Sequence, residues 1–369
     1  MIILVGVTIT VALNGGLFST AKQATQGTET EKNKELALSK EEVQIDGLIY
    51  ASMDDYLNEN PKLADGWTVS TDEERANAWP TETVKNENVT AIKETTTNKI
   101  VPLPKGFQVS LEEGENTVSG GLVITDGTNE FVWIPVTSTY TEDNLGPLKG
   151  TDSTSTFAYN SQNELNYYYG TNEDGTPYYD YADFNYTEDK SNIETSINKY
   201  KGFYIGRYET TIDENGKIGS MKNKPVLTAS KSIPETNNKE CRWWGLYKVQ
   251  KDMYADNEAV FSTMITSKEW DATMSLRGNP TRATNTYTKK PDLSGSAYIG
   301  TTDTYDVSKN IYDLAGNVHE WTLTADSTSY RVGRGGNCIS GSGSARITSI
   351  DYPYGYSYRV GSRLALYIK

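Results

Sequence analysis

The sequence predicts an α+β chain, and three observations carry that prediction. Two apolar runs, "LVITD" and "EFVWIPV", flank the turn "DGTN", which is the pattern of a β-hairpin. Two stretches between residues 241 and 278 space their apolar residues as a helix does. The part after them breaks into short strand-like pieces between loops, with no visible repeat of roughly 20–50 residues. Composition agrees. Of 369 residues 36% are hydrophobic, with Tyr (26) and Gly (31) numerous and Phe (7) and Met (6) scarce, which suits a loop-rich, Tyr-faced protein better than a Leu-rich helical enzyme.

Residues 1–60 read as an N-terminal helix, hydrophobic and then amphipathic. "MIILVGVTITVAL" is apolar but shorter than the ~20 residues that span a bilayer, and it has neither a basic leader nor a clear small-residue cleavage site. After the "NGG" break, Leu36, Val43, Tyr50 and Leu57 recur every seventh residue and would share one helical stripe, ended by Asn58 to Pro61. Residues 61–120 read as a spacer with short strands in "WTVS", "NVTAIKE" and "GFQVSLEEG".

Residues 121–369 form the main domain. Its hairpin comes first, then a Tyr-, Asn- and Asp-rich stretch over 137–195 without a sustained period, which reads as an inserted surface loop. "YKGFYIGRYETT" is strand-like. In "CRWWGLYKVQKDMY", Trp243, Leu246, Tyr247, Gln250, Met253 and Tyr254 lie on a helical stripe that faces a core rather than forming an aromatic ligand cage. In "MITSKEWDATMSLRG", Thr266 and Glu269 have capping-box spacing, Trp270 and Met274 lie one turn apart, and Gly278 follows the end. The tail carries "NIYDLAGNVHEWT", "SYRVGRGGN" and "SRLALYIK".

Charge and residue counts remove whole classes of function. A net charge of −14 would repel a phosphate backbone, so no nucleic-acid partner is expected. Two Cys, Cys241 and Cys338, make one bridge or none and exclude a disulfide scaffold. One His, His319, is too few for a multi-His metal centre, and it reads as an ordinary strand residue.

At the N-terminus the apolar run, the "NG" break and the charged stretch come in the order of a type IV prepilin-like helix of Gram-positive surface proteins, starting partway through the pattern. A buried helix of the globular part is the alternative. From residue 120 onward, "EFVWIPV", "FYIGRYETT", "TSKEWDATM", "NIYDLAGNVHEWT" and "RVGRGGN…SAR…GSRLALYI" together resemble the formylglycine-generating-enzyme (sulfatase-modifying factor) family. That resemblance implies a variant of the C-type lectin fold. His319 and Ser362 depart from the family's usual Trp and Phe.

The resemblance also implies a structural calcium ion at "DLAGNVHE", with side-chain oxygens from Asp313 and Glu320 and backbone carbonyls from Gly316 and Val318, a donor type that suits calcium. A Gly-Asn turn with Glu320 paired to an Arg is the alternative. Catalysis transfers poorly. Enzyme members hold copper with a pair of tail Cys, whereas this tail has Cys338 alone, and Cys241 matches no catalytic position. The expectation is a protein that is not an enzyme.

What remains is the same fold used for binding. The Tyr- and Ser-rich tail over 333–362 resembles the variable proteins of diversity-generating retroelements, and its composition matches that of antibody paratopes. On that resemblance the ligand-contact positions are Asn337, Cys338, Ile339, Ser340, Ser342, Ile347, Thr348, Ile350, Asp351, Tyr352, Tyr354, Tyr356, Tyr358 and Arg359. Pro353 and Gly355 predict an irregular loop from which the tyrosines fan out as separate contacts. The expected partner is a protein ligand, with carbohydrate as the second choice, at the cell surface or outside the cell, and the N-terminal helix would associate with a membrane or a pilus-like assembly. A formylglycine-generating-type oxidase and a pilin-like structural subunit are the competing classes.

Overall fold

In the computed structural model the described residues are 43–45, 48–50, 63–142, 156–157, 186–236, 240–277, 297–298, 307–325, 330–337, 348–355 and 357–369. The chain divides into two units, Met1–Pro61 and Lys62–Lys369. In the first, β1 (Val43–Ile45) pairs antiparallel with β2 (Leu48–Tyr50), in the register Val43↔Tyr50 and Ile45↔Leu48. This corrects the helical reading of that stretch. Val43 and Tyr50 face each other across a hairpin instead of sharing a helical stripe, and the intervening Asp-Gly is the dipeptide that two-residue hairpin turns favour. The apolar opening run lies outside the described residues. No helix of the described residues is long and apolar enough to cross a membrane.

The second unit begins with β3 (Trp67–Val69), helix α1 (Asp72–Ala78), β4 (Val89–Glu94) and β5 (Ile100–Pro104), and its first three strands form the sheet β3-β4-β5. Thr71 and Glu74 close a capping box on α1, a helix that the sequence reading missed. Strands β6 (Gln108–Val109), β7 (Val123–Thr125) and β8 (Glu130–Pro135) follow, and β7–β8 is the expected hairpin. Next come β9 (Thr156–Phe157), α2 (Tyr186–Tyr200) and β10 (Gly202–Gly206). Helix α2 corrects the reading of 137–195 as a loop throughout. Ile193, Ile197 and Tyr200 fall three and four residues apart and are all buried, a helical period hidden among polar neighbours.

Strands β11 (Thr211–Ile212), β12 (Ile218–Gly219) and β13 (Pro225–Val226) precede α3 (Arg242–Asp252), β14 (Val260–Met264) and α4 (Ser267–Arg277), the two helices expected from spacing. The tail holds β15 (Ala297–Tyr298), β16 (Val307–Ser308), β17 (Ile311–Tyr312), β18 (His319–Ala325), β19 (Arg331–Arg334), β20 (Thr348–Asp351), β21 (Val360–Ser362) and β22 (Leu364–Ile368). The result is a mixed α+β architecture dominated by sheet.

The largest sheet runs β14-β22-β10-β8-β7-β6 and is buried on both faces, which explains why its strands read as continuous apolar runs. Alternate residues enter different cores. Val132, Ile134, Phe203, Ile205, Ala365 and Tyr367 pack with the helical residues Ile193, Trp243, Tyr247 and Trp270. Phe131, Trp133, Tyr204, Leu364, Leu366 and Ile368 pack on the other side with Trp67, Trp79, Ile92 and Leu103. The described residues 63–120, expected as part of a spacer over 61–120, therefore contribute one side of a core, and β6 continues the same sheet.

A second sheet, β20-β19-β18-β21 with β9 also on β18, carries the tail. Strand β21 runs parallel to β18, pairing His319 with Val360 and Glu320 with Gly361. Gly335, just after β19, has φ +73°, and a Cβ there would lie 2.8 Å from the Leu314 carbonyl oxygen, so the first Gly of "GGN" is required by close approach.

Candidate functional site

Two places in the tail hold the predicted residues. The first is the turn from Asp313 to Glu320. It is built by left-handed backbone at Asp313 (φ 57°) and Asn317 (φ 54°), residue types that tolerate this region, while Gly316, the expected kink, is not among the residues with positive φ. Asp313, Asn317 and Glu320 are all buried.

Glu320 faces Arg363, which follows β21. Arg363 Nε lies 3.1 Å from each carboxylate oxygen of Glu320, and its other nitrogens donate to the carbonyls of Gly206 (3.0 Å) and Tyr312 (2.8 Å). The guanidinium thereby ties three segments together: β10, β17 and β18. A third carboxylate, Glu209, closes the cluster. It accepts from the Asn317 side-chain amide and, at 3.1 Å, from the Val318 amide. Burial pushes its carboxyl well above the usual range, and the negative charges of Asp313 and Glu320 add to that. Burial also raises Glu320, against the pull of Arg363. Burial opposes the charge on Arg363, yet the carboxylates raise its pKa above the ordinary value. Sequence reading missed Glu209, although "RYETT" was recognised as part of the family pattern; nothing local marks its Glu as a partner of residues more than a hundred positions away.

The expected Glu320–Arg alternative is thus present as geometry. The turn still gathers oxygen donors. Three buried carboxylates stand against one close guanidinium, and Asn317 Oδ1 has no hydrogen-bond partner. As a ligand, Glu320 would be shared between the cation and Arg363. Among the described residues, no group of three or more His, Cys, Asp or Glu side chains is arranged to hold a metal ion, so backbone carbonyls would have to complete any such set.

His319 starts β18 and is buried, which pushes its imidazole down to about 4 despite hydrogen bonds to the backbone at Gly335 and Gly333. It is a neutral strand residue, as expected. Cys241 is buried at the N-cap of α3, and burial first, then Glu235, push its thiol up to about 12. Enclosed in the core, this thiol is closed to a peptide substrate.

The second place is the Tyr-rich loop after β20. Pro353 is buried, and its carbonyl accepts the Trp243 amide at the start of α3 at 3.2 Å. A turn closes behind it, with the Gly355 amide 2.9 Å from the Tyr352 carbonyl. Tyr352 and Tyr354 stack on each other with ring centroids 4.8 Å apart, and Tyr330 packs on Tyr352 at 4.4 Å with a hydroxyl–hydroxyl distance of 2.6 Å. Tyr352 and Tyr354 therefore stack in one row with Tyr330 instead of fanning out from each other, because the buried Pro353 holds its two neighbours close enough for ring contact. Tyr330, just before β19, carries no local sign of this contact.

Farther along the chain, Arg359 lies over the Tyr358 ring at 5.1 Å and donates to its hydroxyl at 2.9 Å. Tyr352, Tyr354, Tyr358 and Arg359 are half-buried and Asp351 is exposed. Asn337 is half-buried just past β19, and Thr348 and Ile350 lie on β20. Cys338, Ile339, Ser340, Ser342, Ile347 and Tyr356 lie outside the described residues.

No protein-family model matches the chain, and no curated protein does. Among solved structures it is similar to the crystal structure of CarF, at 13% identity and a TM-score of 0.30, over 46% of this chain and 87% of that one. It is similar in the same degree to Treponema denticola variable protein 1, at 14% identity and a TM-score of 0.29, over 45% of this chain and 84% of that one. At those TM-scores neither likeness assigns a family. The functional reading rests on this chain's own residues.

Proposed function

We propose that this chain is a non-catalytic ligand-binding protein of the cell surface or extracellular space, built on a C-type lectin-like domain of the formylglycine-generating-enzyme type and related in use to the variable proteins of diversity-generating retroelements. The observation that carries the reading is the packed row Tyr330–Tyr352–Tyr354, two of whose rings sit on a loop pinned through Pro353. Pre-packed aromatic rings lose little conformational entropy on binding, and aromatic and Arg side chains dominate interface energetics. A protein ligand suits such a surface best. Carbohydrate is the second choice, since sugars also stack on aromatic rings.

The same chemistry disfavours the oxidase. With Cys241 enclosed in the core, this chain offers no second accessible thiol to pair with Cys338. Copper-loaded protein incubated with a sulfatase-type Cys peptide should leave the peptide mass unchanged. Turnover abolished by Cys338→Ser would overturn the non-catalytic reading.

The turn Asp313–Glu320 is proposed as a structural calcium site, with Asp313 and Glu320 supplying side-chain oxygens and Gly316 and Val318 carbonyls. The excess of buried negative charge and the unpartnered Asn317 Oδ1 support it. When bound, the ion would offset that charge and brace the turn from which β18 departs. The N-terminal segment is proposed as the association element toward a membrane or a pilus-like assembly.

The test of the binding role is a screen of the purified chain against arrayed bacterial and host surface proteins and against glycans, followed by Tyr352→Ala and Tyr354→Ala. Loss of the captured ligand in these variants is the expected result. Undiminished binding by the double variant would move the site away from this loop.

A further inference from the structure

Away from the tail, a second set of acidic groups is enclosed near the N-terminus of α4. Glu142, which follows β8, and Glu269, in the first turn of α4, are both fully buried. Glu142 Oε1 accepts from the Tyr140 hydroxyl and, at 2.8 Å, from the Thr266 hydroxyl. Glu269 Oε2 accepts the Thr266 amide at 2.8 Å as the return half of the capping box. Each carboxylate is thus satisfied through one oxygen. The other two oxygens, Glu142 Oε2 and Glu269 Oε1, are buried without an aligned hydrogen-bond partner, although the Tyr367 hydroxyl stands close enough to Glu269 to lower its carboxyl.

One positive charge, Lys268, acts on Glu142 and favours its ionised form without bonding to it. On α4, Lys268 sits over the Tyr140 ring at 5.1 Å and donates to the Thr141 carbonyl. On α2, Lys190 is paired with Glu194 at 3.2 Å, and Asp189 is paired with Lys251 of α3 at 2.9 Å while accepting from Tyr247. Strand β22 contributes Tyr367. No cation is bonded to either Glu142 or Glu269 among the described residues. Two ionised carboxylates enclosed together without a bound cation would carry a large desolvation and repulsion cost, which one proton removes.

We propose that Glu142 and Glu269 share a single proton and so form a pH-operated latch on the segment that leaves β8. With the proton in place, the two unmatched oxygens become donor and acceptor to each other. Without it, repulsion drives Glu142 out and releases the chain around it. That chain is otherwise held by α2, through the Glu142 amide on Glu194 at 2.6 Å and the Tyr140 backbone on Asn198 at 2.8 and 2.7 Å. The long Tyr-rich insertion departs from this point in the sequence.

The direction of the pH response follows from which state binds the proton. Burial pushes the Glu142 carboxyl up to about 7, against the hydrogen bonds from Tyr140 and Thr266 and the charge of Lys268, while burial and then the charge of Glu142 push the Glu269 carboxyl up to about 8, against Tyr367 and Thr266. The folded chain therefore binds more protons than the unfolded chain across that interval. The stabilising contribution is complete below the unfolded value and is lost as pH rises through neutrality.

Infrared spectroscopy of the whole chain tests the shared proton. Wild type should show a buried carboxylic-acid C=O band at about pH 6 that is gone by about pH 9. Glu142→Gln and Glu269→Gln should each lose it, because the new amide donates to the remaining carboxylate and keeps it ionised. A wild-type spectrum lacking the band, or a band that persists in the double variant and so belongs to Glu209, would overturn the shared proton. Amide exchange corrected for intrinsic rates tests the latch. Protection of the Glu142 amide should fall about tenfold between the two pH values in wild type and stay level in Glu142→Gln. Protection that stays level in wild type while the band titrates would overturn the latch.

Discussion

Arg363 and Glu320 form a two-sided ion pair with no solvent exposure on either side chain, Nε standing 3.1 Å from both carboxylate oxygens. The pair joins the strand that follows the Asp313 turn to the start of the last strand, and the same guanidinium holds the carbonyls of Gly206 and Tyr312. Breaking such a pair from one side leaves an enclosed charge without compensation. Arg363→Met should cost ~3–5 kcal/mol in urea unfolding, because Glu209, Asp313 and Glu320 would then face one another unscreened. Arg363→Met with Glu320→Gln should recover part of that loss. A single-variant loss under ~1 kcal/mol would mean that the network is not what joins these strands.

Calcium should raise the melting temperature and chelator should lower it, since an ion bound only to the folded chain at about 100 times its Kd adds ~2.7 kcal/mol. Asp313→Asn should blunt the response, and Glu320→Gln should remove it. Identical melts with chelator and with calcium would retire the site.

In the Tyr row, Tyr330→Ala removes a ring that touches Tyr352 without itself having been among the expected contacts. If the row acts as one surface, Tyr330→Ala should weaken a captured ligand along with Tyr352→Ala, and at least one of the row's Ala variants should cost ~2 kcal/mol or more of binding free energy. Titration calorimetry gives the comparison. Full affinity in Tyr330→Ala together with a large loss in Tyr352→Ala would restrict the contact to the turn itself.

Thr266 both caps α4 and donates to Glu142. Thr266→Ala should therefore cost more than the ~1 kcal/mol of an isolated cap. Thr266→Ser keeps the hydroxyl and should cost less. Equal losses in the two variants, by thermal or chemical unfolding, would show that the hydroxyl contributes nothing beyond packing.

Local chemistry was legible in the residues. The "DGTN" hairpin, the helix of "RWWGLYKVQKD" and the capping box of Thr266 and Glu269 each depend on neighbours within a turn or two, so their spacing alone specified them. Where that logic failed, a shorter signal competed with a longer one. A seven-residue stripe at Val43 and Tyr50 outweighed the Asp-Gly turn between them, and polar residues around Ile193 and Ile197 masked a helix.

The sequence by itself determined the mixed α+β character, the elements built on local spacing and the placing of the acidic turn and the Tyr-rich loop in the tail. Only the tertiary structure decided what those sites are made of. Glu209 and Arg363 reach the turn from the segments that follow β10 and β21, Tyr330 packs on Tyr352 beside the β19–β20 pair, and Glu142 and Glu269 both bond Thr266 from opposite sides of α2 in the sequence. Such partners are chosen by sheet order and by burial, which forces every enclosed charge to find a neighbour, and neither property is encoded in the spacing of nearby residues.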